Sequence, residues 1–278
     1  MLRQLIWLIS YPILRNIKKI EGTHNGETCY IFGDGVSLKY FDLSKFSNHP
    51  ALVCNALPFH RDFKYLNCLY WVVVGPELLW SRLQPKQPKR SEIFKPIEKQ
   101  YFQKMRATSV PKILHLFSFP KMFRSHAYFI FDKFPKSDQD SNFIASTKKG
   151  YAGSFNALIT IAVYLGFKNA ILIGMDYTHS NSRSHHWYES GAGIRTFHPD
   201  YNKEFIDHAS QKINLITVTL QGKSEVMDSI TYKELTGETP IFRENTDLAS
   251  NDFLSAFSSF PGYSIFSSTV KASENFQM

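Results

Sequence analysis

The chain has 278 residues, of which 43% are hydrophobic and 15% aromatic, so it can bury a full core and is neither disordered nor fibrous. Its formal net charge of +8 favours an anionic partner, which could be a nucleic acid, a membrane surface or a phosphorylated substrate. The three cysteines, Cys29, Cys54 and Cys68, form no CxxC pair and predict buried reduced thiols in a cytoplasmic protein.

Residues 1–22 form an apolar, basic first segment with no acid before Glu21. Ser10 and Pro12 interrupt its apolar stretch, which falls short of the ~18 to 20 residues of a spanning helix, and no small-residue cleavage site follows. Two interpretations stay open: a helix packed on the domain, or an amphipathic anchor on the inner face of the cytoplasmic membrane. In the anchor, the lipid-facing residues are Trp7, Ile6 and Ile9, and the cations are Arg15, Lys18 and Lys19.

A strand–turn–helix–strand unit follows. Residues 28–33 and 49–57 read as strands, 36–46 as the helix between them, and the continuous apolar run 68–75 as a third strand of the kind buried in parallel sheets. From Gln84 the chain becomes rich in Lys, Arg and Pro, and we expect a solvent-facing, partly helical excursion. Residues 112–119 resume strand character, and 120–143 read as irregular.

Regular structure returns at residue 153. Residues 153–167 predict a buried helix, because they are apolar almost all round, and 169–176 predict a strand that delivers Asp176 at its carboxyl end. A helix over 199–213, a strand over 214–220 and a short helix and turn over 223–235 follow. The Ser-rich chain from 248 to 278 is predicted to be a flexible tail.

Alternating strands and helices predict a doubly wound α/β fold over residues 23–247, with a mainly parallel, Rossmann-like sheet and an irregular basic insertion at about 84–145. Ligands of such folds bind beyond the carboxyl ends of the strands. The loops after Phe32, Cys54, Val74 and Met175 are therefore the places where a site is expected.

The Gly33-Asp34-Gly35-Val36-Ser37 turn is the first candidate. We expect positive φ angles that only glycine tolerates, and a helix N-terminus that offers N–H groups to an anion. The turn lacks the third glycine of a dinucleotide fingerprint and the Lys of a Walker loop. The alternative is an ordinary tight turn capped by Ser37.

Polar residues follow the other strands. Asn55 can contact a ligand or satisfy local backbone. Asp176 and Tyr177 open a loop that holds His179, His185, His186 and Tyr188. Imidazoles suit acid–base catalysis near neutral pH. The alternatives are a zinc site that would also use His198, without the support of an HExxH motif or a Cys partner, and an incidental polar loop.

Basic residues between 86 and 124 form either a phosphate- or lipid-binding surface or a solvated face. They are Lys86, Lys89, Arg90, Lys95, Lys99, Lys112, Lys121 and Arg124. No nucleic-acid-binding motif accompanies them, so the sequence predicts no nucleic-acid partner.

Two blocks of the sequence together are similar to a known family. YIFGDGVSLKYFDLSKFSNHPALVCNAL (30–57) resembles the opening of the small bacterial sialyltransferases and of the related domain in flagellin-modifying, Maf-type glycosyltransferases. GSFNALITIAVYLGFKNAILIGMDYT (153–178) resembles their second block, SHHWYESG their later His-containing element, and ITVTLQGKSEVMDSITYKEL their closing strand and turn. The resemblance covers roughly 28–57 and 145–236.

The resemblance implies a GT-A-like variant of the fold and a metal-independent transferase with no cofactor besides its nucleotide-sugar donor, a CMP-linked acidic sugar in the sialyltransferases. Carried over, Gly33, Asp34, Gly35 and Ser37 line the nucleotide, and Asn55 contacts the donor. Ser154 meets the phosphate or carboxylate, Asp176 sits at the nucleotide end with Tyr177 and Tyr188 nearby, and His186 or His185 is the general base. Three positions depart from the family pattern: Asp34 replaces an Asn, Gly75 an Asn, and Thr178 a Tyr.

The sequence therefore predicts a glycosyltransferase that moves a CMP-activated nonulosonic, sialic-acid-like sugar onto a surface glycan. Two alternatives remain. The same domain family includes archaeal enzymes that resemble pterin pyrophosphokinases, which use ATP and Mg²⁺. Asp34 and Gly75 instead motivate a membrane-associated nucleotide-binding module without activity.

Overall fold

The computed structural model describes residues 2–80, 88–123, 125–131, 153–179, 183–195 and 203–258. Its strands are β1 (Thr28–Phe32), β2 (Ala51–Cys54), β3 (Cys68–Val73), β4 (Lys112–His115), β5 (Ala127–Ile130), β6 (Asn169–Ile173), β7 (Arg183–Ser184), β8 (Ile194–Arg195), β9 (Asn214–Thr219) and β10 (Asp228–Thr231). Its α-helices are Leu2–Ile9, Tyr11–Leu14, Pro88–Ala107, Phe119–Met122, Gly153–Leu165, Lys203–Ala209, Tyr232–Thr236, Asn245–Leu248 and Asn251–Ser258.

Eight strands of the described chain form one sheet in the order β10-β9-β6-β1-β2-β3-β4-β5. Every neighbouring pair in it is parallel, which confirms the predicted α/β fold. The chain adds β2 to β5 on one side of β1 and then returns to place β6 on the other. The gap between β1 and β6 is therefore the topological switch point, the preferred ligand position in such sheets.

Each face of the sheet carries its own core. Along β1, Tyr30 and Phe32 enter one apolar cluster, and Cys29 and Ile31 enter the other, as the two-residue period of a strand requires. Helix Gly153–Leu165 packs on the second face, whereas helix Pro88–Ala107 and helix Asn251–Ser258 cover the first. The three cysteines are free, with Cys29 and Cys54 buried and Cys68 half-buried.

Several elements differ from the sequence predictions. Residues 36–46 form two short 3₁₀ helices, Val36–Lys39 and Leu43–Phe46, instead of one helix, because Asp42 accepts a hydrogen bond from the Ser44 N–H and starts a new turn there. β4 lies in the segment 112–119 that was predicted to be a strand, but the segment 120–143, predicted to be irregular, contains β5, and the segment 223–235, predicted to be a short helix and turn, contains β10.

The predicted flexible tail also differs from the structure over 248–258. Leu248 and Phe253 are fully buried, and Phe253 stacks on Phe59 with ring centroids 4.4 Å apart. These contacts fix helix Asn251–Ser258 on the first core. The rest of the predicted tail lies outside the described residues.

Packing of the N-terminal segment supports the packed-helix interpretation for part of its length. Leu14, Ile17 and Ile20 are buried against the domain, and Ile6 and Trp7 are half-buried. No helix in the described part of the chain is long and apolar enough to cross a membrane.

Candidate active site

The turns after β1 and β6 are in direct contact. The Gly33 N–H donates to the Ile173 carbonyl at 2.8 Å, and the Gly35 N–H donates to the Gly174 carbonyl at 2.9 Å. The prediction of positive φ angles is wrong, since neither Gly33 nor Gly35 has one and Gly35 has φ −65°. Glycine is needed because a Cβ on Gly35 would lie 2.6 Å from Asp176 Oδ2, too close for any side chain.

The Asp176 carboxylate accepts hydrogen bonds from Ser37, which lies in the 3₁₀ helix Val36–Lys39 after the glycine turn. Its Oδ2 accepts from the Ser37 N–H at 2.8 Å, and its Oδ1 accepts from the Ser37 hydroxyl. Ser37 and Asp176, two of the predicted site residues, therefore lie together, but their polar groups bond each other. Together with the two glycine bonds, this pairing uses three of the turn's backbone N–H groups, so they are not offered to a phosphate.

Asp34 joins three strand ends. Its Oδ2 accepts from the Ala56 N–H at 3.2 Å beyond β2, and its Oδ1 accepts from the Trp187 indole N–H at 3.1 Å. The Trp187 backbone N–H donates to the Asp34 carbonyl at 3.0 Å. Burial raises the pKa of Asp34 to about 6, against the opposing effects of the His186 charge and of the hydrogen bonds from Ala56 and Trp187. Asp34 therefore acts as a buried tie between loops.

Asn55, beyond the end of β2, and Ser154, at the start of a helix, lie side by side. The Asn55 amide donates to Ser154 Oγ at 2.8 Å, and Ser154 occupies the first turn of helix Gly153–Leu165. Asn55 has φ +34°, an uncommon backbone for a residue other than glycine, and its carbonyl accepts from the Trp71 indole at 2.9 Å. The backbone around Asn55 is therefore held firmly, with its amide directed at the start of a helix.

A histidine–carboxylate pair lies beside this turn. Residues 185–193 connect β7 to β8, and an isolated bridge pairs His186 with Gly35. His186 Nδ1 lies 2.7 Å from Glu189 Oε1, and the Glu189 side chain is buried while 48% of the His186 side chain is exposed. Partial burial lowers the pKa of His186, but the hydrogen bond and charge of Glu189, followed by the charges of Asp34 and Asp176, outweigh it and raise the pKa overall.

The two candidate bases are distinguished by exposure. His185 has φ +96° and a buried side chain, and burial lowers its pKa. His186 has no described partner at Nε2, and its ring stacks on Tyr188 with centroids 5.0 Å apart. A bond at Nδ1 fixes the proton there and leaves Nε2 as the acceptor, which is the arrangement of a general base. His186 is therefore the better placed of the two.

The other aromatic and polar residues of the loop divide between site and core. Tyr188 lies with His186, whereas Tyr177 packs edge-on against Phe155 with centroids 5.5 Å apart. His179 is buried, with Nε2 3.1 Å from Thr217 Oγ1, and Thr178 bonds the same hydroxyl. Thr178 is therefore part of the core.

A cavity of about 210 Å³ opens next to Ser37 and Asp176. It is lined by Ser37, Tyr40, Asp176, His179, Arg183, Leu220, Gln221 and Pro240. Arg183 is half-buried and donates to the carbonyls of Ala192 and Gly193. The volume is below the ~300 Å³ of typical ligand pockets, so the cavity can take only part of a nucleotide-sized ligand.

Sequence reasoning missed Glu189, although the spacing of His186 and Glu189, three residues apart, was visible. It also missed Arg183 and the role of Trp187 as the partner of Asp34.

Gly75, one of the positions that depart from the family pattern, is the N-cap of the 3₁₀ helix Pro76–Leu78 after β3. No cluster of three or more His, Cys, Asp or Glu side chains in the described ranges is arranged to hold a metal ion, and His198 lies outside those ranges.

The described cations of the basic segment are mostly paired or buried. Lys95 bonds Glu92 at 2.6 Å, Lys121 bonds Glu98, and the buried Lys112 donates to the Thr108 carbonyl at 2.9 Å. Lys86 and Arg124 fall outside the described residues, as do the side chains of Lys89 and Arg90. These pairs favour the solvated-face interpretation for Lys95 and Lys121.

Solved sialyltransferase structures match the chain. The sialyltransferase CstII from Campylobacter jejuni, in complex with cytidine-5'-monophosphate, is 18% identical with a TM-score of 0.46, over 84% of this chain and 98% of that one. An apo alpha-2,3-sialyltransferase from Campylobacter jejuni is 16% identical with a TM-score of 0.48, over 89% and 95%. A point mutant of the alpha-2,3/8-sialyltransferase CstII is 17% identical with a TM-score of 0.46, over 84% and 100%.

Neither the protein-family models nor the curated proteins contain a match to the sequence. At the identities and TM-scores of the solved structures, the likeness assigns no activity to this chain.

Proposed function

We propose that the protein is an inverting glycosyltransferase that moves a sugar from a CMP-linked donor, of the nonulosonic acid class, to a hydroxyl of a surface glycan. The observation that carries the proposal is the half-exposed His186 with its Nδ1 held by the buried carboxylate of Glu189, beside the switch point of the sheet. Such a pair provides a base for an acceptor hydroxyl.

The chemical step uses His186 Nε2, which has no partner among the described residues. His186 Nε2 takes the proton of the acceptor O–H as that oxygen attacks the anomeric carbon from the face opposite the departing phosphate. The new bond joins the acceptor oxygen to the anomeric carbon, the bond from that carbon to the phosphate oxygen breaks, and the nucleotide leaves with the electron pair. Glu189 stabilises the imidazolium that forms. A placed base contributes about 10² to 10⁴ in rate.

The donor end is assigned to residues at the neighbouring strand ends. Asn55 and Ser154 supply an amide and a hydroxyl at the start of helix Gly153–Leu165, whose positive end favours a phosphate or carboxylate. Tyr188 lies next to the base. The cavity with Arg183 takes one part of the nucleotide in this proposal. The choice of CMP rests on the sequence resemblance.

A nucleotide-binding module without activity is the second candidate, which Asp34 and Gly75 motivated in the sequence. The three paired N–H groups of the Gly-Asp-Gly-Val-Ser turn do not favour it, because they weaken phosphate binding at this turn in either case. The hydrogen bonds from Ala56 and Trp187 already account for a carboxylate at position 34, so no ligand contact of Asp34 is needed to explain it. Asp34 therefore no longer argues for this alternative.

Turnover of labelled CMP-sugars tests the proposal, with CMP binding measured by calorimetry on the same samples. We expect His186→Ala to lose at least 10²-fold in transfer and to keep CMP binding. The control is His126→Ala, which removes an exposed histidine one residue before β5 and should keep both transfer and CMP binding. Undiminished transfer by His186→Ala would remove the base from the mechanism. CMP binding by wild type without transfer from any CMP-sugar would favour the binding module.

A thermal-shift screen against CMP, UDP, GDP and ATP tests the donor class. A ligand at 100 times its dissociation constant adds about 2.7 kcal/mol of stability. Stabilisation by CMP supports the proposed donor. Stabilisation by ATP with Mg²⁺ and by none of the other nucleotides would favour the pyrophosphokinase alternative.

A further inference from the structure

The N-terminal segment has one part that is buried in the domain and one part that lies on its surface. Leu14, Ile17 and Ile20 have 0%, 0% and 5% of their surface exposed. They anchor the 3₁₀ helix Arg15–Ile20 on the cores of the sheet. The helix that precedes them, Leu2–Ile9, is therefore held at a defined place on the surface.

That helix presents an apolar face to the outside. Leu5, Leu8 and Ile9 are 53%, 64% and 71% exposed. They are spaced i, i+3 and i+4, so they lie on the same face of the helix. Ile6 and Trp7 are half-buried against the first core, which reverses the orientation expected from the sequence, where Trp7 and Ile6 were to enter the lipid.

Cations follow this face within ten residues. Arg15, Lys18 and Lys19 are exposed, and none of them makes an ion pair with a residue that the structure describes. The sequence contains no acid before Glu21. An exposed apolar helix face, followed in the chain by cations with no ion pair among the described residues, suits the boundary between acyl chains and anionic headgroups, whereas a protein partner of the same shape would also need matching carboxylates.

We propose that Leu5, Leu8 and Ile9 insert into the surface of a bilayer that contains anionic phospholipid, with Arg15, Lys18 and Lys19 on its headgroups. The helix has eight residues, about 12 Å at 1.5 Å per residue, so it lies in the interface and does not cross it. The proposal is independent of the proposed enzymatic function, because it rests on residues outside the candidate active site.

Co-sedimentation of the full chain with vesicles tests the proposal. Wild type is expected to bind vesicles of phosphatidylcholine with one quarter phosphatidylglycerol at least tenfold more tightly than pure phosphatidylcholine. The double variant Leu8→Glu/Ile9→Glu loses the binding. Lys18→Gln and Lys19→Gln each weaken it about fivefold, and so does added salt. The matched control is Ile241→Glu, which changes an isoleucine that is 70% exposed on another part of the surface. This variant is expected to keep wild-type binding.

Two outcomes overturn the proposal. One is equal binding of wild type and Leu8→Glu/Ile9→Glu to the anionic vesicles, with both proteins giving the same circular dichroism. The other is absence of vesicle binding by wild type together with a dimer, seen by light scattering, that the double variant dissolves. In that case a second copy of the chain covers the face.

Discussion

Replacing Asp34 with Asn tests whether the buried carboxylate is a structural tie that costs stability when it is ionised. Burial raises the pKa of Asp34 from its ordinary 3.8 to about 6. At about 1.4 kcal/mol per pKa unit, this rise corresponds to about 3 kcal/mol. Because the folded pKa lies above the unfolded one, the stabilising contribution is complete below pH 3.8 and is lost as the pH rises through about 6.

The assay is urea unfolding of wild type and Asp34→Asn at a series of pH values between 4 and 7.5. Asn does not titrate, so we expect the variant to gain about 2.4 kcal/mol relative to wild type between pH 4 and pH 7, whatever the two stabilities are at pH 4, because a small part of the loss has already occurred at pH 4. The control Asp252→Asn removes an exposed carboxylate on helix Asn251–Ser258. Parallel curves for wild type and Asp34→Asn would show that Asp34 is ionised at no cost and that burial does not raise its pKa.

Three further predictions concern the contacts around the site. Gly35→Ala should lower the free energy of unfolding by about 1–3 kcal/mol, because the new Cβ would lie 2.6 Å from Asp176 Oδ2, even though the backbone φ of −65° suits alanine. An unchanged urea midpoint would contradict this close approach. Glu189→Gln should lower the pKa of the His186 imidazole, followed by NMR titration without any substrate; a pKa equal to that of wild type would exclude Glu189 as its counter-charge. Lys39→Met should cost about 1–3 kcal/mol in urea unfolding, because the fully buried Lys39 Nζ bonds the Glu244 carboxylate at 2.7 Å, and a neutral result would show that the pair adds nothing.

The central strands were predictable because their residues carry the signal locally. β1 and β6 are short apolar runs bounded by glycine and polar residues, and a parallel sheet that is buried on both faces requires such runs. β10 gives no such signal. Its four residues, Asp228–Thr231, are half-buried or exposed at the edge of the sheet, and only their pairing with β9 makes them a strand.

The helix Asn251–Ser258 was missed for a related reason. It opens the Ser-rich stretch 248–278, although only two of its eight residues are serines, and its two large buried residues, Phe253 and Phe257, are separated by four positions. Phe253 packs on Phe59 and Trp187, and Phe257 packs on Tyr188, all of which lie far away in sequence. Tertiary packing, and not local propensity, decides such a segment.

The site was partly predictable. Parallel topology predicts that Asn55 and Ser154 meet, because Asn55 follows the carboxyl end of β2 and Ser154 opens the helix that leads into the parallel strand β6, so both lie at one edge of the sheet. The structure brings them within 2.8 Å. The tie between Asp34 and Trp187 spans 153 residues and leaves no trace in either local pattern. The choice of His186 over His185 as the base rests on their different exposure, which is a property of the fold and not of the local sequence.

The pairing at the middle of the sheet has a consequence for how the protein is made. Thr28 of β1 pairs with Asn169 of β6, 141 residues further along the chain. At 5–20 residues per second, a ribosome needs on the order of ten seconds to supply that partner. During this interval one long side of β1 stays unpaired, with Cys29 to Phe32 all apolar, and such an open edge invites pairing with another nascent chain. A truncation product that ends before residue 169 is therefore expected to aggregate, even though five strands of its sheet are complete.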